Sequence, residues 1–292
     1  MRGTNPTHPR VYDVRMGISD RFGFAAFTSG RTMMHGILAA VLSMAFLAAP
    51  AVETEAAPVF EDGSSLHIDI NIPALRLSVY LDGEKIRSYP VAVGLPQAYT
   101  PTGRFTVDHA EWNPWWRPPP NREWTQGRVD TPPGPNNPMG RVKLFFSPLY
   151  FIHGTPESES IGTPASQGCV RMRNEDVIEL ARLVHEWSDA TMAESEIDGI
   201  LRSWRPTRHA RFREPPTLEI RYDPVVVEGN ELVVYPDFYN RGRTHSEAVI
   251  QALMGAGIDP NGLDRVQVRN VLDEARSDES VFRVEIRTLM GE

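Results

Sequence analysis

Apolar and polar residues alternate along much of this chain with the two-residue period of a β-strand. Leu75, Leu77, Val79 and Leu81 interleave with Arg76, Ser78, Tyr80 and Asp82, the pattern of a half-buried strand. Asp82-Gly83 offers the positive backbone angles of a type I′ turn, and 86–93 reads as the returning partner. Thr100-Pro101-Thr102-Gly103 predicts a turn into a strand over 104–107, and 141–146 and 149–153 read as two further strands joined near Ser147-Pro148. The period then changes. Asn174 is expected as a helix N-cap, with Glu175 and Asp176 where the helix dipole favours negative charge. Val177, Leu180, Ala181 and Val184 fall on one face at three- and four-residue spacing. A second helix is predicted over 192–204. Strands resume at 218–227 and 231–235 around Glu228-Gly229-Asn230, and the last fifty residues predict helices at 244–254 and 263–275 and a strand near 281–286.

The first sixty residues follow another rule. Ile37 to Ala49 is an uncharged apolar run of thirteen residues, preceded by Arg31 and followed by Ala49-Pro50-Ala51. That is the layout of an export leader with a small-x-small cleavage site, and the run is short for a permanent membrane helix, which needs about 20 residues. Asp13 and Asp20 are foreign to such a leader, and a translation start at Met33 or Met34 would remove them. No cysteine follows the run, so a lipid-anchored N-terminus is not expected. The predicted fate is export.

Between the strands, 112–138 is a long loop holding eight of the 25 prolines and four of the six tryptophans. Loops of this length in compact domains are usually functional or disordered, and tryptophan argues against disorder. Trp115 and Trp116, together with Tyr150, are candidates to line a substrate groove. A stiff loop packed on the sheet accounts for the same tryptophans equally well.

Composition adds mainly exclusions. With 41% hydrophobic and 23% charged residues the chain is globular rather than fibrous. A net charge of -8, without a lysine or arginine stripe, makes nucleic acid an unexpected partner. Cys169 is the only cysteine, so no internal disulfide forms, and one cysteine with scattered histidines supplies no metal quartet at usual spacing. No cofactor is called for. The thiol is therefore structural or reactive.

Its neighbours favour reactivity. His153 ends an apolar strand, and Cys169 follows sixteen residues later inside Ser166-Gln167-Gly168-Cys169-Val170-Arg171-Met172. Gly154, Pro156, Gly162 and Pro164 between them favour a short excursion that brings the two face to face. A free thiol with a pKa of about 8.5 is only a few per cent ionised at neutral pH, so it needs a base, a cation or a helix N-terminus. His153 is the candidate base, Arg171 and the helix expected at Asn174 the sources of positive potential, and the amides of Gly168 and Cys169 a candidate oxyanion hole.

The blocks His153-Gly154-Thr155, Ile161-Gly162 and 166–172, followed by Asn174-Glu175-Asp176, resemble the signature of L,D-transpeptidase catalytic domains. Upstream, 99–105, Asn113-Pro114-Trp115 and 132–140 resemble the branch known from Gram-negative periplasms, as do Tyr222-Asp223-Pro224-Val225 and 235–239. The resemblance implies a mainly β fold with some α: a β-sandwich with helices after the cysteine and a small α/β C-terminal extension. Together with the leader pattern, this divides the chain into a leader at 1–51, a linker at 52–65, a catalytic domain at 66–204, closing strands at 205–242 and an extension of unassigned role at 243–292. The resemblance makes Cys169 the nucleophile, His153 its base, and Arg171 a support for thiolate or substrate. The Gly154 carbonyl orients the histidine ring, and Ser166 braces the loop. Gln167 stands where many relatives carry a second histidine.

The implied reaction is attack on the third residue of a peptidoglycan stem peptide, loss of D-alanine and a thioester on Cys169. The acceptor stays open: a second stem peptide, a lysine of a lipoprotein or outer-membrane protein, or water, the last making the protein a carboxypeptidase or amidase. Carbapenems are expected to acylate the same thiol. A papain-like protease would place cysteine before histidine, a sortase would space the two more widely, and a non-catalytic wall-binding module would not need both.

Overall fold

The computed structural model describes residues 66–277 and 280–291. The predicted leader and linker lie outside the described residues. Two five-stranded sheets face one another across the larger core. The first runs in the order Glu84–Pro90, Arg76–Leu81, Leu66–Asn71, Thr217–Arg221, Gly103–Thr106. The second runs Val170–Arg173, Tyr150–Thr155, Val142–Ser147, His109–Trp112, Arg208–Arg211. The mainly β sandwich with added helices is thus present as expected.

Local chemistry explains the turns and edges. Asp82 and Gly83 both take positive φ, 50° and 85°, as the hairpin turn requires. The strand Arg76–Leu81 that leads into it departs from the half-buried expectation, because Ser78 and Tyr80 are as buried as Leu77 and Val79. Both faces of this strand are withdrawn from water. On the same sheet the buried Asp69 is paired with Arg221 at 2.8 Å.

In the second sheet, Ala110, Trp112, Val142, Leu144, Ile152, Val170, Met172 and Ala210 are fully buried and belong to the core between the sheets. Helix Asn174–Trp187 adds Val177, Leu180, Ala181 and Val184 to that core, the face its spacing predicted. Asn174 is inside the helix rather than capping it, since Arg173 occupies the cap position without a side-chain bond. Its amide is used elsewhere: Oδ1 accepts from the Arg141 N–H at 3.0 Å, and Nδ2 donates to the Thr155 carbonyl at 3.1 Å. The wedge ties the helix start to two strands.

The long loop is pinned rather than free. Asn137 Nδ2 donates to the carbonyls of Pro114, Thr131 and Pro132 at 3.0–3.1 Å, and Asn113 Nδ2 reaches the Ile200 and Ser203 carbonyls. Such bonds supply partners for loop carbonyls that the sheets leave out.

The C-terminal part has a sheet and a core of its own. Strands Val225–Glu228 and Glu231–Val234 pair with Phe282–Glu285 in a three-stranded antiparallel sheet. Their Val225, Val227, Leu232 and Val234 share a second core with Val249, Leu253, Val268 and Leu272 of helices Ser246–Gly255 and Arg265–Ser277. Tyr222-Asp223-Pro224 interrupts the strand predicted over 218–227, because proline cannot donate to a ladder. Arg208–Arg211 and Thr217–Arg221 close the large sandwich, and Phe238 and Tyr239 pack back on its core. Among the described residues no helix is long and apolar enough to cross a membrane.

Two cores predict two responses to damage. Leu253→Ala, costing about 2–5 kcal/mol as a buried leucine truncation, is expected to speed amide exchange across 225–291. Protection of the strand Tyr150–Thr155 should be unchanged. Equal acceleration in both regions would show a single cooperative unit.

Candidate active site

The site is set by strand register. Strand Val170–Arg173 runs parallel to Tyr150–Thr155 with Arg171 opposite His153 and Val170 opposite Ile152. On the other side Lys143 lies opposite His153 and Phe145 opposite Phe151, and Glu111 lies opposite Lys143. Since successive side chains point to opposite faces, Val170, Ile152 and Leu144 enter the core while Arg171, His153, Phe151, Lys143 and Glu111 share the other face. Cys169 lies in the bend just before this strand, and both it and His153 feel the charges of Lys143 and Arg171. The two sequence-predicted residues thus share their charged neighbours.

Each part of the pair has main-chain support. His153 is 2% exposed, and its Nδ1 is 2.7 Å from the Gly154 carbonyl, which accepts the ring proton. The Pro138 carbonyl also reaches the ring. Gly154 has no room for a side chain, because an added Cβ would lie 2.3 Å from Asn174 Oδ1. The partly buried Cys169 sulfur lies 3.8 Å from the Leu149 carbonyl and receives the Phe151 N–H. Ser166 Oγ donates to the Cys169 carbonyl and accepts from the Gly168 N–H. Gly168 has φ +110° and its missing Cβ would lie 2.7 Å from the Tyr150 ring, so glycine is required both by conformation and by space.

The electrostatics leave the pair neutral at rest. Burial pushes the Cys169 thiol up to about 11, offset only partly by the Phe151 N–H, Lys143 and Arg171. Burial likewise pulls His153 down to about 3, against the Gly154 carbonyl and with the help of Arg171 and Lys143. A thiolate stabilised by a helix N-terminus is not what forms. Four residues of strand separate the sulfur from helix Asn174–Trp187, about 13 Å of extended chain.

The remaining candidates are placed unevenly. Arg171 lies on the reactive face but its Nη1 is bonded to Glu157 at 2.9 Å. The Gly168 N–H, expected in an oxyanion hole, is committed to Ser166. Tyr150 lies against Gly168. Trp115 touches the site through its carbonyl, which accepts from Lys143 Nζ at 2.8 Å, whereas the Trp116 backbone is bridged to Thr131 and its ring has Arg128 at 5.8 Å. Sequence reasoning missed Lys143 and Glu111. Lys143 in Val142-Lys143-Leu144 reads as the solvent side of a half-buried strand, and only the register of five strands turns that side into the site. Among the described residues no group of three or more His, Cys, Asp or Glu could hold a metal ion.

With this geometry established, likeness to known proteins becomes informative. A model of the L,D-transpeptidase catalytic domain matches residues 65–227. The chain belongs to that family. It is 36% identical over 118 residues to the probable L,D-transpeptidase ErfK/SrfK of Escherichia coli, covering 38% of each chain. It is 34% identical over 127 residues to the putative L,D-transpeptidase YkuD of Bacillus subtilis, covering 43% of this chain and 65% of that one. The match therefore spans less than two thirds of either relative's length. An L,D-transpeptidase from Mycobacterium smegmatis overlays 55% of this chain and 59% of its own with a TM-score of 0.38 and 15% identity.

The depressed histidine makes stability pH-dependent. Between about 3 and 6.5 the unfolded chain binds a proton at residue 153 that the folded ring does not, so stability held above pH 6.5 is lost as pH falls through this window. His185, lowered to about 4 by burial, adds to the same window. The melting temperature is expected to fall from pH 7 to pH 4, and to fall less steeply in His153→Gln. Parallel slopes in the two proteins would exclude His153 as a source.

Proposed function

We propose that this protein is an exported L,D-transpeptidase that works on peptidoglycan stem peptides in the periplasm through a thioester on Cys169. The observation that carries the reading is that Cys169 and His153 have Lys143 and Arg171 as common neighbours, with the ring held by the Gly154 carbonyl and the thiol loop by Ser166. Membership of the family and the names of the relatives support the reaction class. The leader pattern at 37–51 supports export.

At rest both groups are neutral, so the base is available. When a stem peptide excludes water from the face, the Cys169 proton passes to the His153 imidazole as sulfur attacks the carbonyl of the third residue. The tetrahedral intermediate collapses with rupture of the bond to D-alanine, whose amine takes the proton from His153. An acceptor amine then attacks the thioester, giving up a proton to His153 and regenerating the thiol. Phe151 N–H, already directed at the sulfur, steadies its negative charge during attack. Arg171, freed from or sharing Glu157, faces the substrate beside the histidine. The aromatic edge formed by Tyr150 and the Trp115 loop is the proposed groove wall. The acceptor we assign is the side-chain amine of a second stem peptide or of a wall-attached protein. Hydrolysis is the competing outcome wherever water reaches the thioester.

Incubation with a disaccharide tetrapeptide, read by mass, is expected to show release of D-alanine and a cross-linked dimer. Cys169→Ala should abolish both while remaining folded. His153→Ala should retain slow turnover, at least about 100-fold down, that rises with pH as hydroxide replaces the base. Free tripeptide alone would assign the hydrolytic reaction, and turnover by Cys169→Ala would remove the nucleophile from this account.

A further inference from the structure

Lys143 and Glu111 form an ion pair at 3.1 Å on the reactive face, with the two residues 8% and 7% exposed. The pair's position is specific. Lys143 is the direct register partner of His153, its ammonium lies 5.3 Å above the Phe151 ring, and Phe151 supplies the N–H that meets the Cys169 sulfur. A second Lys143 bond, to the Trp115 carbonyl at 2.8 Å, ties the aromatic loop to the same point. A buried ion pair generally adds little stability over apolar residues of similar volume, so its presence beside a reactive thiol calls for another role.

We propose that Lys143, held in place by Glu111, is a positioning residue that keeps a positive charge beside the Cys169 sulfur and fixes the Trp115 end of the substrate groove. This rests on the reading of the site as a thiol acyltransferase. A lysine ammonium is a compact charge on a flexible stem, and Glu111 with the Trp115 carbonyl removes that flexibility by engaging two of its three donors. The third donor is left for the reacting side. Charge from the Cys169 thiolate in turn favours the ammonium form of Lys143, opposing the burial that lowers it. The other charged or titratable groups around this point are few. Glu111 and His109 come from strand His109–Trp112, His209 lies opposite Glu111, and His153 and Tyr150 come from the neighbouring strand. Arg171 is paired with Glu157, and Arg117 of the loop opposes the lysine's charge. Of the cations, Arg171 has its own carboxylate at the rim, whereas Lys143 is fixed from beneath.

Alkylation by iodoacetamide tests this without any acyl donor, and because Cys169 is the only cysteine the rate reports one thiol. Rates are measured from pH 6 to 11 on the full chain, with folding checked by circular dichroism. Lys143→Met and the charge-balanced Lys143→Met/Glu111→Gln are both expected to alkylate about three- to tenfold more slowly at pH 8, with the rise in rate displaced to higher pH, since a tenfold change in thiolate is one pKa unit. Lys143→Arg should stay within about twofold of wild type. A double variant with the wild-type profile would reduce the pair to a structural role and overturn the proposal. So would a Lys143→Arg protein as slow as the double variant. Should Lys143→Met not fold, the double variant and Lys143→Arg still decide. Wild-type protein that shows these shifts yet releases no D-alanine would overturn the acyltransferase reading and leave Lys143 as a residue that tunes the thiol alone.

Discussion

The rest of the site depends on one constraint, the parallel register of Val170–Arg173 against Tyr150–Thr155. The side-chain period of a strand is two, so a slip by one residue would send Arg171 and the thiol's neighbours into the core and bring Val170 and Met172 out. Register is enforced because Val170, Met172 and Ile152 are completely buried. Hydrophobic burial on one face thereby fixes chemistry on the other. Asn174, wedged against Gly154 and bonded to both Arg141 and Thr155, adds a polar lock to the same alignment.

Much of this was legible along the chain, though not uniformly. The Asp82-Gly83 hairpin, the apolar face of helix Asn174–Trp187 and the Cys169/His153 pair each carry a local signal: turn chemistry, helical spacing or a shared motif. What stayed hidden is what needs partners distant in sequence. Glu111 and Lys143 are 32 positions apart, and nothing local distinguishes them from residues facing solvent. The same limit explains Ser78 and Tyr80, which alternate as a half-buried strand should but are covered on both sides. Asn174 was legible as a residue with a special local role, but its amide is used for strand alignment rather than for a cap. At the C-terminus the strand expected over 218–227 ran through Pro224, where the structure breaks it, and which core the following strands join depends on Phe282–Glu285, about fifty residues later.

Burial has opposite effects on the two reacting groups and the same consequence for both. It disfavours the thiolate of Cys169 and the imidazolium of His153, so the unliganded site holds a protonated thiol beside a neutral base. Such a pair is protected against indiscriminate oxidation and alkylation, since the thiolate is the reactive species. Ionisation then belongs to the encounter with a substrate that displaces water and brings its own carbonyl. The site is reactive on demand rather than continuously.

The bonds that Asn137 makes to the carbonyls of Pro114, Thr131 and Pro132 bear on the thermodynamics of recognition. A loop rich in proline and held at its neck by one amide has lost most of its conformational freedom during folding, when the large core compensates for that loss. Ligand docking against it therefore need not freeze a mobile segment, and more of the contact free energy is retained as affinity. The stiffness also limits the range of shapes that can fit. As the proposed groove wall, an edge of this kind would select among stem peptides by refusing to adapt to them, whereas a supple loop would accept many partners weakly.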